Sequence, residues 1–310
     1  MYPITFENLF YDKIWGGSDF EDFVEDMPSE NIGEVWNITC HKHGMSIVKN
    51  GEHKGRTLLE LMKELGIKLM GTKIPQDEFP LLIKIISAKD KLSVQVHPDD
   101  DYAMKNENSL GKTEAWYVLD AKENSEIIIG TKDCNKEYFK LGIENNDLEK
   151  YLNRVKIKKG DMYFIKSGLV HAILEGNLIL EIEQNSDITY RVFDYGRNRP
   201  LHIDKALDVI DFNYKPEKCT GLTLNYENYT KTNLCICKYF AIEKYCVKDL
   251  LLDSSDEERF HILFLLDGTG TLEYDDGVLD IKKGDCILVP AFLGKYKIKG
   301  RIDFLKTFVP

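Results

Sequence analysis

Short alternating or wholly apolar runs recur along the chain, separated by Gly, Asn and Asp, and this rhythm predicts a mostly β protein. Leu92-Ser93-Val94-Gln95-Val96-His97 alternates strictly. It predicts a strand with Leu92, Val94 and Val96 on one face and Ser93, Gln95 and His97 on the other. Pro98 and three aspartates follow, so the polar row is expected to end at a loop, where sites tend to be built. Helical signals are few. Thr57-Leu58-Leu59-Glu60 is a capping box that opens a helix toward Leu65. Asn135 to Leu152 predicts one or two short helices, and His202 to Ile210 another.

The β pattern repeats. Val155 to Ile165, with Gly160-Asp161 at its centre, is answered by Leu279 to Val289, with Gly284-Asp285. Upstream of each lies a similar strand, Trp116 to Asp120 and Leu263 to Asp267. Strand, turn, strand, Gly-Asp turn and strand is the local order of a cupin, a small double-sheet jelly roll. The expected fold is therefore mostly β: two cupin-like jelly-roll β-barrels with a few short helices. The expected division is a catalytic domain over 1–220 and a second, non-catalytic domain over 221–310. Lys215, Pro216 and Asn225 to Thr232 interrupt the apolar pattern near that boundary. The copies differ where chemistry would sit. His171 stands as far past Asp161 as Lys295 stands past Asp285, and His261 falls roughly where the first copy has Glu114.

Gln95, His97, Glu114 and His171 together offer two imidazole nitrogens and two oxygens, a set that suits zinc and also iron, cobalt or manganese. After a turn at Glu175-Gly176-Asn177, the strand Leu178 to Gln184 returns, so Glu181 is expected opposite His171 and on one face with Glu183 and Asn185. Arg191 lies inside a β-forming run, where burial is costly without a partner. It reads either as a site residue or as half of an ion pair to Glu181 or Asp187.

Composition narrows the partners. The 310 residues carry a formal net charge of −11, which argues against nucleic acid. No run of about 18 apolar residues exists to span a membrane. The start of the chain lacks a secretory signal, and the seven scattered cysteines read as reduced, buried thiols, Cys235 and Cys237 included. A cytoplasmic protein is expected. Any anionic substrate then needs a locally positive site.

Four segments resemble type I mannose-6-phosphate isomerases in combination: Gln95 to Asp100, Gly111 to Glu114, Val170 to Ile173, and Asn185 to Arg191. Lys13 to Gly17 and Gly33 to Trp36 resemble the same family, and Pro200 to Val209 resembles its short, Bacillus-type branch. The likeness runs from about residue 3 to 212. It departs at Lys166 and Ala115, neither of which is a proposed ligand. The resemblance implies one zinc ion per chain, held by Gln95, His97, Glu114 and His171. It also implies Arg191 and Lys112 as basic site residues, with Glu181 nearby. The implied reaction interconverts D-mannose 6-phosphate and D-fructose 6-phosphate through an enediol. Glu181, a zinc-bound hydroxide or another residue could be the base. Two rivals remain at this point: a metal cupin of different chemistry, such as oxygen activation, and a sugar-sensing cupin with a structural metal.

Overall fold

The computed structural model describes residues 1–310 apart from Glu21 and Asp26. Three large sheets carry the chain, and all their pairings are antiparallel. A six-stranded sheet runs in the order Met162–Ile165, Glu114–Ala121, Asn177–Gln184, Leu81–Ala88, Ile32–Ile38 and Leu9–Asp12. A five-stranded sheet runs Leu152–Lys156, Glu126–Thr131, His171–Ile173, Val94–Val96 and Tyr190–Phe193. They face each other across Trp116, Val118, Ile127, Ile129, Ile173 and Ile179, as the two sheets of a jelly roll do.

The outer faces are also covered. Val94, Val96, Ile128 and Val192 pack against Phe139, Leu148, Ala206 and Leu207 from the helical segments. Behind the six-stranded sheet, Val35, Ile83, Ile85, Ala115 and Ile182 pack on Phe240, Ile242 and Leu305 of the C-terminal half. Double coverage explains why Leu81–Ala88 and Asn177–Gln184 are buried at every position instead of alternating.

The C-terminal half is a nine-stranded sheet, curled around Val247, Leu263, Leu265, Ile287, Ile298 and Phe304. Its edge is completed by the start of the chain, with Ile4 opposite Leu288. The internal repeat extends to individual hydrogen bonds. Val118 N–H donates to the Asp161 carbonyl and the Gly160 N–H donates back to Val118, both at 2.9 Å. Leu265 makes the same two bonds with Asp285 and Gly284, also at 2.9 Å. Both glycines have φ of +88°, a region open mainly to glycine.

Three predicted helical regions are present: Leu58–Leu65 with its Thr57/Glu60 capping box, Lys136–Glu144 followed by a short 3₁₀ turn at Leu148–Tyr151, and Ile203–Val209. Two expectations are corrected. Asp99 caps a helix, Asp100–Glu107, where a loop was expected, because its side chain accepts from Tyr102 N–H. The strand after Lys91 begins only at Val94. Leu92 joins the interior cluster while Val94 and Val96 join the outer one, so the alternation does not extend back to Leu92. All seven cysteines are free and half-buried, and among the described residues none belongs to a cluster that could hold a metal.

Candidate active site

Cross-strand register brings the predicted residues together. In the five-stranded sheet Gln95 lies between His171 and Arg191, its direct partners on either side. Direct partners share a face. In the facing sheet Glu181 lies between Lys84 and Trp116, and Glu183 lies opposite Glu114. The site therefore forms between two sheets. Glu181 and His171 do not pair as a hairpin, contrary to the expectation from the Gly176 turn, because the chain crosses from one sheet to the other between Ile173 and Asn177. Asn185 also leaves this face, donating to the Cys40 carbonyl at 3.1 Å.

Each histidine is oriented from behind. His97 Nδ1 donates to the Ile188 carbonyl at 2.7 Å, and His171 Nδ1 to the Leu169 carbonyl at 2.8 Å. A carbonyl only accepts, so Nδ1 carries the proton and Nε2 keeps its lone pair. The two Nε2 atoms lie 3.1 Å apart. Gln95 Nε2 is 3.3 Å from His171 Nε2. Glu114 reaches within 3.5 Å of His97 and 3.6 Å of His171. Its Oε1 is buried and, among the described residues, has no hydrogen-bond partner.

Burial, with a contribution from Lys112, lowers the His97 pKa far below its usual value; burial also lowers His171, to about 4, so both rings are neutral. Two lone pairs facing each other beside an unpartnered carboxylate oxygen fit a cation between them. Imidazole and carboxylate suit a transition-metal dication; the Gln95 amide turns Nε2 to His171 and Oε1 to Ser93, so its oxygen joins the donor set once the amide is flipped. His97, Glu114 and His171 converge as one such cluster.

Around this triad is a buried ionic network. Lys112 contacts Glu114 and Glu183 and lies 3.1 Å from Glu181. Lys84 bridges Glu181 at 2.9 Å and Glu183 at 3.1 Å. Burial opposes the charge on Lys112, yet Glu114, Glu181 and Glu183 together hold its pKa above the ordinary value. Burial likewise opposes charge on Glu181, but Lys112 and Lys84 keep its pKa well below the usual carboxylate range. Glu114 is pushed up to about 7 by burial and by Glu181. Burial and Glu181 also raise Glu183 well above the usual carboxylate range, so three buried carboxylates do not all ionise against two ammonium groups, and a cation at the triad would favour their charged forms.

Above the triad opens a cavity of about 450 Å³, lined by Trp15, Gln95, Lys112, Glu181, Arg191 and Arg199 among others. That volume is in the range of small-molecule sites. The alternatives for Arg191 are resolved against an ion pair. Its Nε donates to Ser93 Oγ at 3.2 Å and its Nη1 to the Pro200 carbonyl at 2.9 Å, and among the described residues it has no carboxylate partner. Asp187 pairs instead with His43 at 2.5 Å. Arg191 thus presents a positive charge to the cavity without a counter-ion.

Lys84 and Glu183 were not singled out as site residues from the sequence. The signal for Lys84 was present: one lysine in the apolar run Leu81–Ala88, the same anomaly that Arg191 shows.

A jelly roll with an interior imidazole–carboxylate cluster compatible with a metal ion, beneath a polar, cation-bearing cavity, is the architecture of a cupin-type enzyme. Residues 4–138 match the type I phosphomannose isomerase catalytic domain, and 230–309 match the mannose-6-phosphate isomerase cupin domain. The chain is 40% identical over 305 residues to the mannose-6-phosphate isomerase ManA of Bacillus subtilis, covering 96% of each. It is 36% identical to the mannose-6-phosphate isomerase of Streptococcus mutans, covering 98% of each. The crystal structure of the Bacillus subtilis mannose 6-phosphate isomerase superposes with a TM-score of 0.94 at 38% identity over 99% of both chains. A variant phosphomannose isomerase from Salmonella typhimurium shares the fold alone, with a TM-score of 0.82 at 15% identity over 100% of both chains. The chain belongs to the type I phosphomannose isomerases.

Proposed function

We propose that the protein interconverts D-mannose 6-phosphate and D-fructose 6-phosphate, using one zinc ion held by Gln95, His97, Glu114 and His171. The observation that carries the metal assignment is the approach of two unprotonated Nε2 atoms, each fixed by a main-chain carbonyl, beside the unpartnered Glu114 oxygen. When bound, zinc supplies Lewis acidity to the carbonyl end of the open-chain sugar and steadies the developing enediolate.

The chain's own groups do the rest. Arg191 binds the phosphate, since its charge is uncompensated and a guanidinium grips an oxyanion at two points. Lys112 lies 3.4 Å from His97 Nε2, next to the metal position, and donates to the sugar oxygen on which charge accumulates. A proton leaves C2 of the aldose and returns at C1, while the hydroxyl proton moves from O2 to O1. Lys112 and Lys84 favour the charged form of Glu181. Trp116 Nε1 donates to it at 3.0 Å, and it holds Lys112 in place; it is a positioning residue.

We assign this chemistry to residues 1–220 and a supporting role to 221–310, where His261 and Lys295 open the strands equivalent to those opened by Glu114 and His171. Seven free thiols support placing the enzyme in the cytoplasm. The test is a coupled assay for fructose 6-phosphate on protein stripped of metal and then reloaded. Turnover restored by Zn²⁺ and unchanged under argon is expected. No turnover of mannose 6-phosphate by zinc-loaded protein, or a need for oxygen, rejects the proposal.

A further inference from the structure

The mouth of the cavity carries a second cluster of metal-competent side chains, separate from the buried one. His41 ends the short strand Cys40–His41, and His43 lies in the turn leading to Gly44–Met45. This hairpin is seated against the cavity wall. Tyr11 Oη donates to the His43 carbonyl at 2.7 Å. A Cβ on Gly44 would lie 2.4 Å from Tyr11 Oη and 2.8 Å from the Trp36 ring, so no larger residue fits there. The two imidazole rings lie 5.0 Å apart, inclined at 70°. Asp187, on a different segment, reaches both: Oδ2 is 2.5 Å from His43 Nδ1, and Oδ1 is 3.7 Å from His41 Nε2. One ligand atom from each of the three falls within 4.8 Å of the others.

We propose that His41, His43 and Asp187 form a second, rim site for a divalent transition-metal ion of the zinc, cobalt or nickel class. Two imidazoles and one carboxylate suit such ions and leave further coordination positions open. His41 is largely buried, its side chain 10% accessible, whereas His43 and Asp187 are exposed, at 58% and 39%. Burial holds His41 below its usual pKa, so it meets an ion unprotonated at neutral pH. Two of its three ligands are exposed to water and Lys42 adjoins them, so this is the weaker of the two sites.

His43 and Asp187 line the cavity, whereas His41 stands behind them. An ion seated there narrows the entrance through which a sugar phosphate must pass. Its occupancy inhibits by competing with substrate, a consequence that rests on reading this cavity as the substrate site. The rim site would make the enzyme sensitive to excess of the same class of ion that its buried site requires.

The experiment titrates Zn²⁺ into untagged protein already holding its buried ion, followed by calorimetry, by elemental analysis after equilibrium dialysis, and by isomerase kinetics. The expected result is one further, weaker equivalent. KM for mannose 6-phosphate rises with its occupancy, while kcat holds. His41→Asn loses that equivalent, keeps the buried ion, and retains basal kcat/KM within about two-fold. A wild-type protein saturated at one equivalent, or a second equivalent that persists in both His41→Asn and His43→Asn, overturns the site. An unchanged KM at full occupancy overturns the occlusion. If mannose 6-phosphate is not a substrate, the stoichiometry still decides the rim site, because only there does His41→Asn remove an ion.

Discussion

His97 and His171 have almost no freedom. Each is buried and tethered through Nδ1 to a carbonyl, so truncation removes a ligand without leaving a substitute. His97→Ala and His171→Ala should each lose zinc and turnover together, measured as metal content beside kcat. A dead variant with full metal content would reject the ligand assignment. Arg191 makes the opposite prediction about stability. Its bonds go to a serine hydroxyl and one carbonyl, so little of the fold depends on its charge. Arg191→Ala should lower kcat/KM by roughly 10- to 100-fold, the scale of a lost charge-assisted hydrogen bond of about 1.5–3 kcal/mol. The melting temperature should fall by only a few degrees, and Arg191→Lys should recover little activity. A large melting loss with normal turnover in the surviving protein would remove Arg191 from the site. At this scale the sequence was most legible where a residue type clashed with its surroundings. An arginine in a β-run and histidines in apolar segments stood out. Glu183 did not, because its meaning comes from Glu114 and Lys112, which adjoin it only through sheet register.

The elements that were easiest to anticipate carry their own punctuation: the Thr57 capping box, the paired Gly-Asp turns, and the glycine turn at 176. The helix Asp100–Glu107 escaped notice because it buries only Ala103, so it has no apolar stripe. Its signal was the acidic start, with Asp99 as cap and Asp100 and Asp101 in the first turn. That helix matters to the site. Asp100 Oδ1 accepts from Gly111 N–H at 3.1 Å and from Gln184 Nε2 at 2.9 Å, and Lys112 N–H donates to the Pro98 carbonyl at 3.0 Å. The loop that delivers Lys112 is thereby pinned to the segment that delivers His97. A Cβ on Gly111 would lie 2.4 Å from the Asp99 carbonyl carbon. Gly111→Ala should therefore cost about 1–3 kcal/mol of stability, as overpacking does, and should lower kcat by displacing Lys112. Denaturant melts and initial rates check this. A variant equal to wild type in both would show that the close approach has no consequence.

Over the whole molecule, the largest core cluster belongs to neither repeat alone. It joins Ile83, Ile85 and Ile182 to Phe240, Phe260, Leu288 and Leu305, so the two halves share one interior. His261, on the C-terminal side, is buried, and that burial together with Lys306 pushes its pKa down to about 3. Folded, it stays neutral where the unfolded chain, titrating near 6.5, would bind a proton. Stability should therefore fall as pH drops through about 6.5 and continue falling toward about 3. The expected loss from this group is about 2 kcal/mol at pH 5. His261→Phe should flatten that part of a stability–pH curve measured by denaturant unfolding; an unchanged slope would assign it elsewhere. His261→Ala and Lys295→Ala should leave turnover within a few-fold. A drop of about 10³, equivalent to about 4 kcal/mol of barrier, would place chemistry in the second repeat.

The pairing of Ile4 with Leu288 also has a consequence during synthesis. At about 5–20 residues per second, a ribosome presents the partner strand roughly 15 to 60 s after the first strand has been made. Thr5 to Glu7 can pair early with Ile47 to Asn50, but through that interval the Ile4–Thr5 strand lacks its sheet partner. The edge that later meets Leu288 is open to whatever chaperone or neighbouring polypeptide reaches it first.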